Sequence, residues 1–265
     1  MKVTDKLNMT MLCDFYELTM SNGYFNNGYK DRTVYFDVFF RRVPDEGGFA
    51  IAAGLQQAIE YLDDLHFSDE DIAYLKSTRL FSDEFLAYLR DFRFTCDVWA
   101  IPEGTPVFPN EPLMVVRAKA IEAQILETYI LLTINHQSLI ATKANRIVRA
   151  AQGRPVMEFG SRRAHGPWAS TYGAKASSIA GCSATSNILA GVKYDYGSTG
   201  TMAHSYVTAF GCSVDGEYKA FDTYIKTHKG EPLILLIDTY DTLRCGVLNA
   251  IKAFKDNGID NSYEA

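Results

Sequence analysis

The sequence lacks the features that define several large classes of protein. No apolar run among its 265 residues approaches the length of a membrane-spanning helix, and its start has no apolar segment typical of a secretion signal. It has no basic run, and its 26 lysines and arginines are outnumbered by 32 aspartates and glutamates. The formal net charge of −6 argues against a nucleic-acid-binding role. These absences predict a soluble, cytoplasmic protein with no membrane or nucleic-acid partner.

Cysteine is also scarce and irregularly placed. The five cysteines are odd in number, widely separated and never spaced as C-x-x-C. A disulfide framework or a zinc site would need paired or closely spaced cysteines. The pattern therefore indicates reduced thiols and excludes a protein held together by cross-links.

Small residues are concentrated between Glu158 and Tyr206, where Gly, Ser, Thr and Ala alternate with a few charged or ring-bearing side chains. Small residues let the backbone approach a ligand closely. Arg162 and Arg163 follow a short apolar segment, and adjacent arginines suit a carboxylate or a phosphate. His204 lies in the segment GTMAHS. Any single glycine here could belong to a surface turn, but long loops without a purpose are uncommon, so the region predicts a ligand site.

Residues 1–119 combine strand and helix patterns. Apolar side chains occupy every second position over residues 33–42, which is typical of a strand. Ser68 and Ser82 each precede acidic residues and an apolar stripe, as helix N-caps do. The stretch 96–119 favours strands again, with four prolines at turns and edges. We predict a first domain of α/β type over residues 1–119.

Residues 120–265 begin with a long predicted helix over 121–151 and continue as strand–loop–helix units, which we assign to a second domain. The apolar run 233–237 predicts a parallel strand buried on both faces. Asp238 follows it directly, in the place where α/β barrels carry active-site residues.

Three other polar residues have two readings each. Glu103 and Glu111 are either paired acid–base carboxylates or solvated turn residues, and the turn interpretation is favoured. His136 lies on an apolar helical stripe, where a hydrogen-bonded packing role is favoured over metal ligation.

Several motifs in order resemble the nicotinate phosphoribosyltransferase family. The signature region is similar over EFGSRRA, YGAKA, TSNILAG and GTMAHSYV. Upstream, CDFYELTMSNGYF resembles the family's N-terminal motif, and LLIDTYDTLRCGVLNAIKAFKDNGI resembles its next barrel strand and helix. The resemblance implies an α/β fold in which the N-terminal α/β domain, residues 1–119, precedes an incomplete TIM-like (β/α) barrel, residues 120–265. Later barrel segments of the family have no counterpart here, which we interpret as a truncated gene, a fragment or a split protein.

The resemblance also implies a reaction. Nicotinate and phosphoribosyl pyrophosphate would give nicotinate mononucleotide and pyrophosphate, with ATP hydrolysis coupled and Mg²⁺ on the leaving group. By the same resemblance the protein would be a homodimer with shared active sites. His204 would form a transient phosphohistidine. Tyr16 would reach the partner subunit's site and stack on the pyridine ring, with Phe159 on the opposite face. Arg162, and less strongly Arg163, would contact substrate or its phosphates.

Other residues are weaker candidates, and alternatives to the enzyme remain. Thr201 and Ser205 beside the histidine could support phosphate or simply form a turn and a cap, and Asp238 is a further substrate-contact candidate. Ser183 and Ala184 stand where the family usually has an acidic residue. The chain could instead be a catalytically silent remnant or binding subunit of the same fold. Within enzymes, the nicotinamide-using relative is the nearest competitor, and the SRRA and TMAHS segments favour the nicotinate enzyme.

Overall fold

The computed structural model describes residues 8–43 and 46–259. Its contacts divide the chain into two compact units, Met1–Ser198 and Thr199–Ala265, which are taken separately below. The domain boundary predicted between residues 119 and 120 falls inside the first unit. A unit defined by contacts is not the same as a domain, so the boundary stays a prediction.

The first unit begins with short helices around a three-stranded antiparallel sheet and a small two-stranded one. Its N-terminal elements, in chain order, are a 3-10 helix Met9–Met11, α1 Phe15–Asn26, β1 Thr33–Phe39, β2 Ala50–Ile51, α2 Leu55–Asp63, α3 Asp69–Ser77, α4 Asp83–Arg90, β3 Asp97–Ala100, β4 Pro106–Val107 and β5 Pro112–Lys119.

Strand β5 is the centre of the three-stranded sheet and pairs antiparallel with β1 and β3, while β2 pairs with β4 in the two-stranded one. Along β1 the side chain of Val38 is buried and that of Tyr35 is exposed, as the alternation predicted. Ser68 accepts a hydrogen bond from Asp71 N and forms a capping box, while Ser82 accepts one from Phe85 N. The structure confirms these predictions. They could be made from the sequence because each depends on residues only a few positions away.

The long helix predicted over 121–151 is two helices, α5 Ala120–Ile125 and α6 Glu127–Ala150. They meet at Leu126, whose amide bonds to the carbonyl of Ala123 in a tighter, 3-10-like turn. All six residues of α5 are buried. The helices and strands pack around a continuous apolar core whose largest fully buried side chains include Phe85, Leu75, Leu89, Met114, Ile121 and Ile125.

The rest of the first unit is a parallel strand–helix–strand arrangement. Its elements are β6 Met157–Glu158, a 3-10 helix Ser161–Arg163, α7 Pro167–Ile179, β7 Ala184–Thr185 and α8 Ile188–Tyr194. Strand β6 pairs in parallel with β7, and Thr185 makes a further parallel bridge to Ser198. Short parallel strands joined through a helix are the units from which α/β barrels are built. The described residues form no closed barrel, which agrees with an α/β fold whose barrel is incomplete.

The second unit is helical around a small core. It contains α9 His204–Ala209, α10 Val214–Thr227, a π-helix Thr242–Gly246 and α11 Val247–Asp256. The buried side chains of its apolar core are Val207, Ala220, Phe221, Ile225, Ala250 and Ala253. Gly258 has a φ of 68° after the C-cap Asn257, the left-handed conformation that favours glycine at the C′ position.

The predicted strand over residues 233–237 is wrong. The segment belongs to no helix and no β-ladder among the described residues. Ile234 is 53% exposed, so the run is not buried on both faces. A strand is defined by hydrogen bonds to a neighbouring strand, and the described part of this unit contains none for it to pair with.

Candidate functional site

The loop after β6 carries two exposed arginines. Glu158, at the end of β6, accepts a hydrogen bond from Thr185 Oγ1 at 2.6 Å and another from the amide of Gly160. Arg162 and Arg163 lie on the following 3-10 helix and are exposed. Within the part of the chain that the structure describes, neither guanidinium makes a hydrogen bond or an ion pair. Because the adjacent carboxylate already binds the loop itself, both arginines are available to an external anion.

Phe159 follows Glu158 in the sequence and precedes the arginines, and about half of its surface is exposed (51%). An exposed aromatic ring on the same loop as two arginines suits a planar anionic ligand. Nearby, Ser183 donates to the carbonyl of Val156 at 3.2 Å, and Ala184 is part of β7. These two positions therefore contribute to the strand pairing rather than a negative charge.

Tyr16 lies near the start of α1 and is fixed there by α6. Its hydroxyl donates to Glu127 Oε1 at 2.8 Å, and this bond is the main cause that raises the pKa of Tyr16 to about 12. The neighbouring Glu17 is fully buried, and its Oε1 accepts hydrogen bonds from the amide and the hydroxyl of Thr128. Burial raises the pKa of Glu17. The first turn of α1 is thereby attached to the first turn of α6, and the Tyr16 ring stays partly exposed.

Glu103 lies in a turn, as the sequence favoured, but its carboxylate binds protein groups and is not solvated. Its Oε1 accepts a hydrogen bond from the amide of Gly54 at 2.7 Å, and its Oε2 lies 3.6 Å from Nζ of the buried Lys175 on α7. Glu111, in contrast, is an exposed turn residue that accepts from the amide of Phe108. His136 Nε2 lies 3.2 Å from the carbonyl of Ala169, which fits the packing role favoured for it.

In the second unit, His204 is the first residue of α9 and contacts two side chains from one segment. Its Nδ1 lies 3.3 Å from Thr239 Oγ1, and its Nε2 lies 3.9 Å from Asp238 Oδ1. The imidazole is more than half exposed. The structure thus brings together His204 and Asp238, which are 34 residues apart in the sequence.

Two predicted neighbours of the histidine do not join this group. Thr201 and Ser205 are exposed, and neither side chain makes a hydrogen bond within the described residues. Thr239 is the residue that the sequence analysis missed. Its signal was its place next to Asp238 in the polar segment that ends the apolar run, the same signal that identified the aspartate.

A compact turn holds this segment. Asp241 Oδ1 accepts from the amides of Leu243 and Arg244, and its carbonyl accepts from the amides of Cys245 and Gly246. A Cβ on Gly246 would clash with the carbonyl oxygen of Ile237. Only glycine allows the π-helix to approach the segment this closely, and π-helical turns are frequent near functional sites.

Metal, membrane and redox features are limited. Within residues 8–43 and 46–259, no group of three or more His, Cys, Asp or Glu side chains is arranged to hold a metal ion. None of the helices in those ranges is long and apolar enough to cross a bilayer. All five cysteines are free thiols, two of them buried.

Comparison with known proteins gives the class first. Residues 11–135 match the family model described as nicotinate phosphoribosyltransferase (NAPRTase) N-terminal domain. A nicotinate phosphoribosyltransferase of Mycobacterium tuberculosis is 45% identical over 94% of this chain and 52% of its own length. One of Bacillus subtilis is 43% identical over 95% of this chain and 50% of its own. The crystal structure of human nicotinic acid phosphoribosyltransferase superposes with a TM-score of 0.80 at 30% identity, covering 93% of this chain and 58% of that one.

These relatives are phosphoribosyltransferases, enzymes that attach a phosphoribosyl group to an acceptor. Within that class, the chain belongs to the nicotinate phosphoribosyltransferase family, as its motifs indicated. It spans about half the length of the curated relatives it matches.

Proposed function

We propose that the chain supplies the part it spans of an ATP-coupled nicotinate phosphoribosyltransferase of NAD salvage. The reaction would join nicotinate to phosphoribosyl pyrophosphate, release pyrophosphate and form nicotinate mononucleotide. The observation that carries the proposal is His204, which lies in the family's GTMAHS motif and contacts Asp238 and Thr239. A silent binding subunit would have no need of a histidine with two ordered partners.

The proposed role of His204 is to accept the γ-phosphoryl group of ATP. A neutral imidazole is an adequate nucleophile near neutral pH, and its exposure leaves room for a nucleotide. Once phosphorylated, the ring would carry positive charge, and the Asp238 carboxylate would stabilise it.

The proposed role of the first unit's loop is to bind anions. Nicotinate carries a carboxylate, and phosphoribosyl pyrophosphate carries phosphates. The guanidinium groups of Arg162 and Arg163, which have no partner among the described residues, suit either. Displacement at the ribose develops positive charge on the sugar and negative charge on pyrophosphate, so catalysis would depend mainly on positioning and charge stabilisation. Phe159 would stack on the pyridine ring.

Mg²⁺ would enter with the substrates, bound to the phosphates of phosphoribosyl pyrophosphate and ATP. Magnesium sites of this kind use substrate oxygens and only one or two protein carboxylates. The described residues fit that arrangement, since they offer the exposed Asp238 and no larger cluster of acidic ligands.

We also propose a homodimer in which Tyr16 completes the partner subunit's site. The support is the partly exposed ring, which the bond to Glu127 holds in one orientation on the surface of the first unit. An ordered aromatic ring at a surface suits stacking against a ligand held by another chain.

The test is a product assay with nicotinate, phosphoribosyl pyrophosphate, Mg²⁺ and ATP. The 265-residue chain would be assayed alone, and also mixed with a second polypeptide that carries the half of the B. subtilis relative it does not cover. We expect nicotinate mononucleotide from the mixture, with ATP consumed. His204→Gln should lower the ATP-dependent rate by at least about a hundredfold.

The matched control is His228→Gln, because His228 lies in the same unit and stacks on Tyr224. It should stay within about twofold of wild type. No product from any wild-type mixture of folded chains, or unchanged ATP coupling in His204→Gln, would overturn the proposal. Faster turnover with nicotinamide than with nicotinate would favour the nicotinamide-using alternative.

A further inference from the structure

The geometry points to Thr239 as the residue that selects the tautomer of His204. We infer that the Thr239 hydroxyl donates a hydrogen bond to Nδ1 of His204, so that the neutral ring carries its proton on Nε2 and its lone pair on Nδ1. The chemical use of this arrangement rests on the proposed function, but the tautomer itself can be measured without any activity.

The proton position follows from Asp238. An ionised carboxylate has only acceptor atoms. Nε2 is the ring nitrogen 3.9 Å from Asp238 Oδ1, and a lone pair on Nε2 would face that negative charge. The arrangement is favourable when Nε2 carries the proton, because an N–H dipole then points toward the carboxylate. One proton on Nε2 leaves Nδ1 as the acceptor nitrogen of a neutral imidazole.

Thr239 is placed to supply the donor that Nδ1 then needs. A hydroxyl has one proton to donate and rotates to suit its partner. Thr239 Oγ1 lies 3.3 Å from Nδ1 and makes no other hydrogen bond within the described residues. Thr201 and Ser205 are much nearer to the histidine in sequence, yet neither side chain makes a hydrogen bond in that same part of the chain. The hydroxyl that acts on the ring is therefore the one from the distant segment.

The chain segment that carries Thr239 is held by hydrogen bonds and close packing. Asp241 begins the π-helix by accepting two amide hydrogen bonds on its side chain, and Gly246 lets that helix pack directly on the carbonyl of Ile237. The segment that carries Thr239 is thus attached on its C-terminal side within two residues. Holding a hydroxyl in place on such a segment costs little conformational entropy. The same hydroxyl on a free loop would lose more.

This tautomer makes Nδ1 of His204 the nitrogen that would react in phosphoryl transfer. The Nδ1 lone pair would form the N–P bond to the γ-phosphorus of a nucleoside triphosphate, while the bond from that phosphorus to the bridging oxygen breaks and its electron pair leaves with the diphosphate. The proton stays on Nε2, and the resulting ring cation faces Asp238. Thr239 is a positioning residue in this step, and its hydroxyl must turn away from Nδ1 before the new bond forms.

The test is ¹⁵N NMR of the full chain labelled in its histidine rings, without nucleotide, at about pH 8.5, where an ordinary imidazole is neutral. The five histidines give separate ring signals, and the signals lost in His204→Gln assign His204. In wild type we expect Nδ1 to show the shift of an unprotonated nitrogen. Thr239→Val keeps the shape and removes the hydroxyl, and it should change the tautomer ratio toward Nδ1–H by about threefold.

Two further variants make the result specific. Thr239→Ser restores a hydroxyl and should return the wild-type ratio. Thr227→Val removes a hydroxyl from α10 in the same unit, where it donates to the carbonyl of Thr223, and should leave the His204 signals unchanged. An unchanged ratio in Thr239→Val, or an equal change in Thr227→Val, would overturn the inference.

A separate arm keeps this outcome apart from the proposed function. Wild-type chain incubated with Mg²⁺ and ATP should form an acid-labile phosphohistidine that His204→Gln lacks. If the tautomer depends on Thr239 but no phosphohistidine forms in any mixture, the role of Thr239 stands and the proposed function fails. If phosphohistidine forms equally in wild type and Thr239→Val with an unmoved tautomer ratio, the proposed function stands and the role of Thr239 fails.

Discussion

The two units present their candidate functional groups in opposite ways. In the first, Arg162 and Arg163 are exposed on a short turn and have no partner among the described residues. In the second, His204 contacts two side chains of one segment, and a tightly packed π-helix holds that segment. A side chain that binds a charged ligand needs no partner in the protein, because the ligand supplies the opposite charge. A group that must react through one particular atom needs its partners in the protein.

This contrast predicts where a substitution should cost stability. Changes to the support of His204 should disturb the fold of the second unit, because its core contains only a few large side chains. Changes to the arginines should leave folding intact and alter ligand binding alone.

Gly246→Ala should have the largest effect. The new methyl group would clash with the carbonyl of Ile237, and overpacking against backbone costs at least about 2 kcal/mol. Hydrogen exchange of the amides in α10 and α11 measures the loss. Gly200→Ala is the matched control in the same unit, because a Cβ there meets nothing within 4 Å, and it should change stability by less than about 0.5 kcal/mol. Equal exchange in the two variants would contradict the supporting role of the π-helix.

Glu17→Gln should have a smaller and pH-dependent effect on the attachment of α1. Burial raises the folded-state pKa of Glu17, so this carboxyl contributes stability at low pH and loses that contribution as pH rises through its folded-state pKa. Glutamine cannot ionise and keeps an oxygen that can accept from Thr128. The free energy of unfolding of Glu17→Gln, measured with urea, should therefore increase relative to that of wild type as the pH increases above about 4. The exposed Glu84→Gln controls for the loss of one negative charge, and a difference that falls with pH would contradict the assignment.

Arg162→Ala should have the smallest effect on folding. It removes no hydrogen bond or ion pair within the described residues, so the free energy of unfolding should change by less than about 0.5 kcal/mol. Arg117→Ala, which breaks an exposed ion pair with Asp97 of 2.7 Å, is the comparison and should cost up to about 1 kcal/mol. Pyrophosphate binding, measured by calorimetry, should weaken about tenfold in Arg162→Ala alone. A larger loss of stability in Arg162→Ala than in Arg117→Ala would show that the arginine is not free.

The features predictable from the sequence were those set by near neighbours. The alternation along β1 and the caps at Ser68 and Ser82 depend on residues within one turn or one pleat, so the pattern was sufficient. The pairing of His204 with Asp238 was not visible in either residue alone. Each residue was a candidate on its own positional signal, His204 in a family motif and Asp238 after an apolar run, and only the fold brings them together.

The wrong or missed predictions all concern features that depend on residues distant in the sequence. Glu103 was interpreted as a solvated turn residue because Lys175, its partner, is distant in sequence. The run 233–237 is apolar enough for a buried strand, but strand formation depends on a second chain segment that the run itself does not specify. Thr239 was missed because one hydroxyl carries no pattern until the fold brings it to an imidazole.

The parallel pairing of β6 with β7 also bears on how the chain acquires its structure. It joins Met157 to Ala184 through one helix, whereas the sheet of the first unit must bring Thr33 to Lys119. Closing the longer loop costs more chain entropy before any contact compensates it, and non-local pairing slows folding. We therefore expect the arginine-bearing turn to acquire its local order early, before β1 pairs with β5.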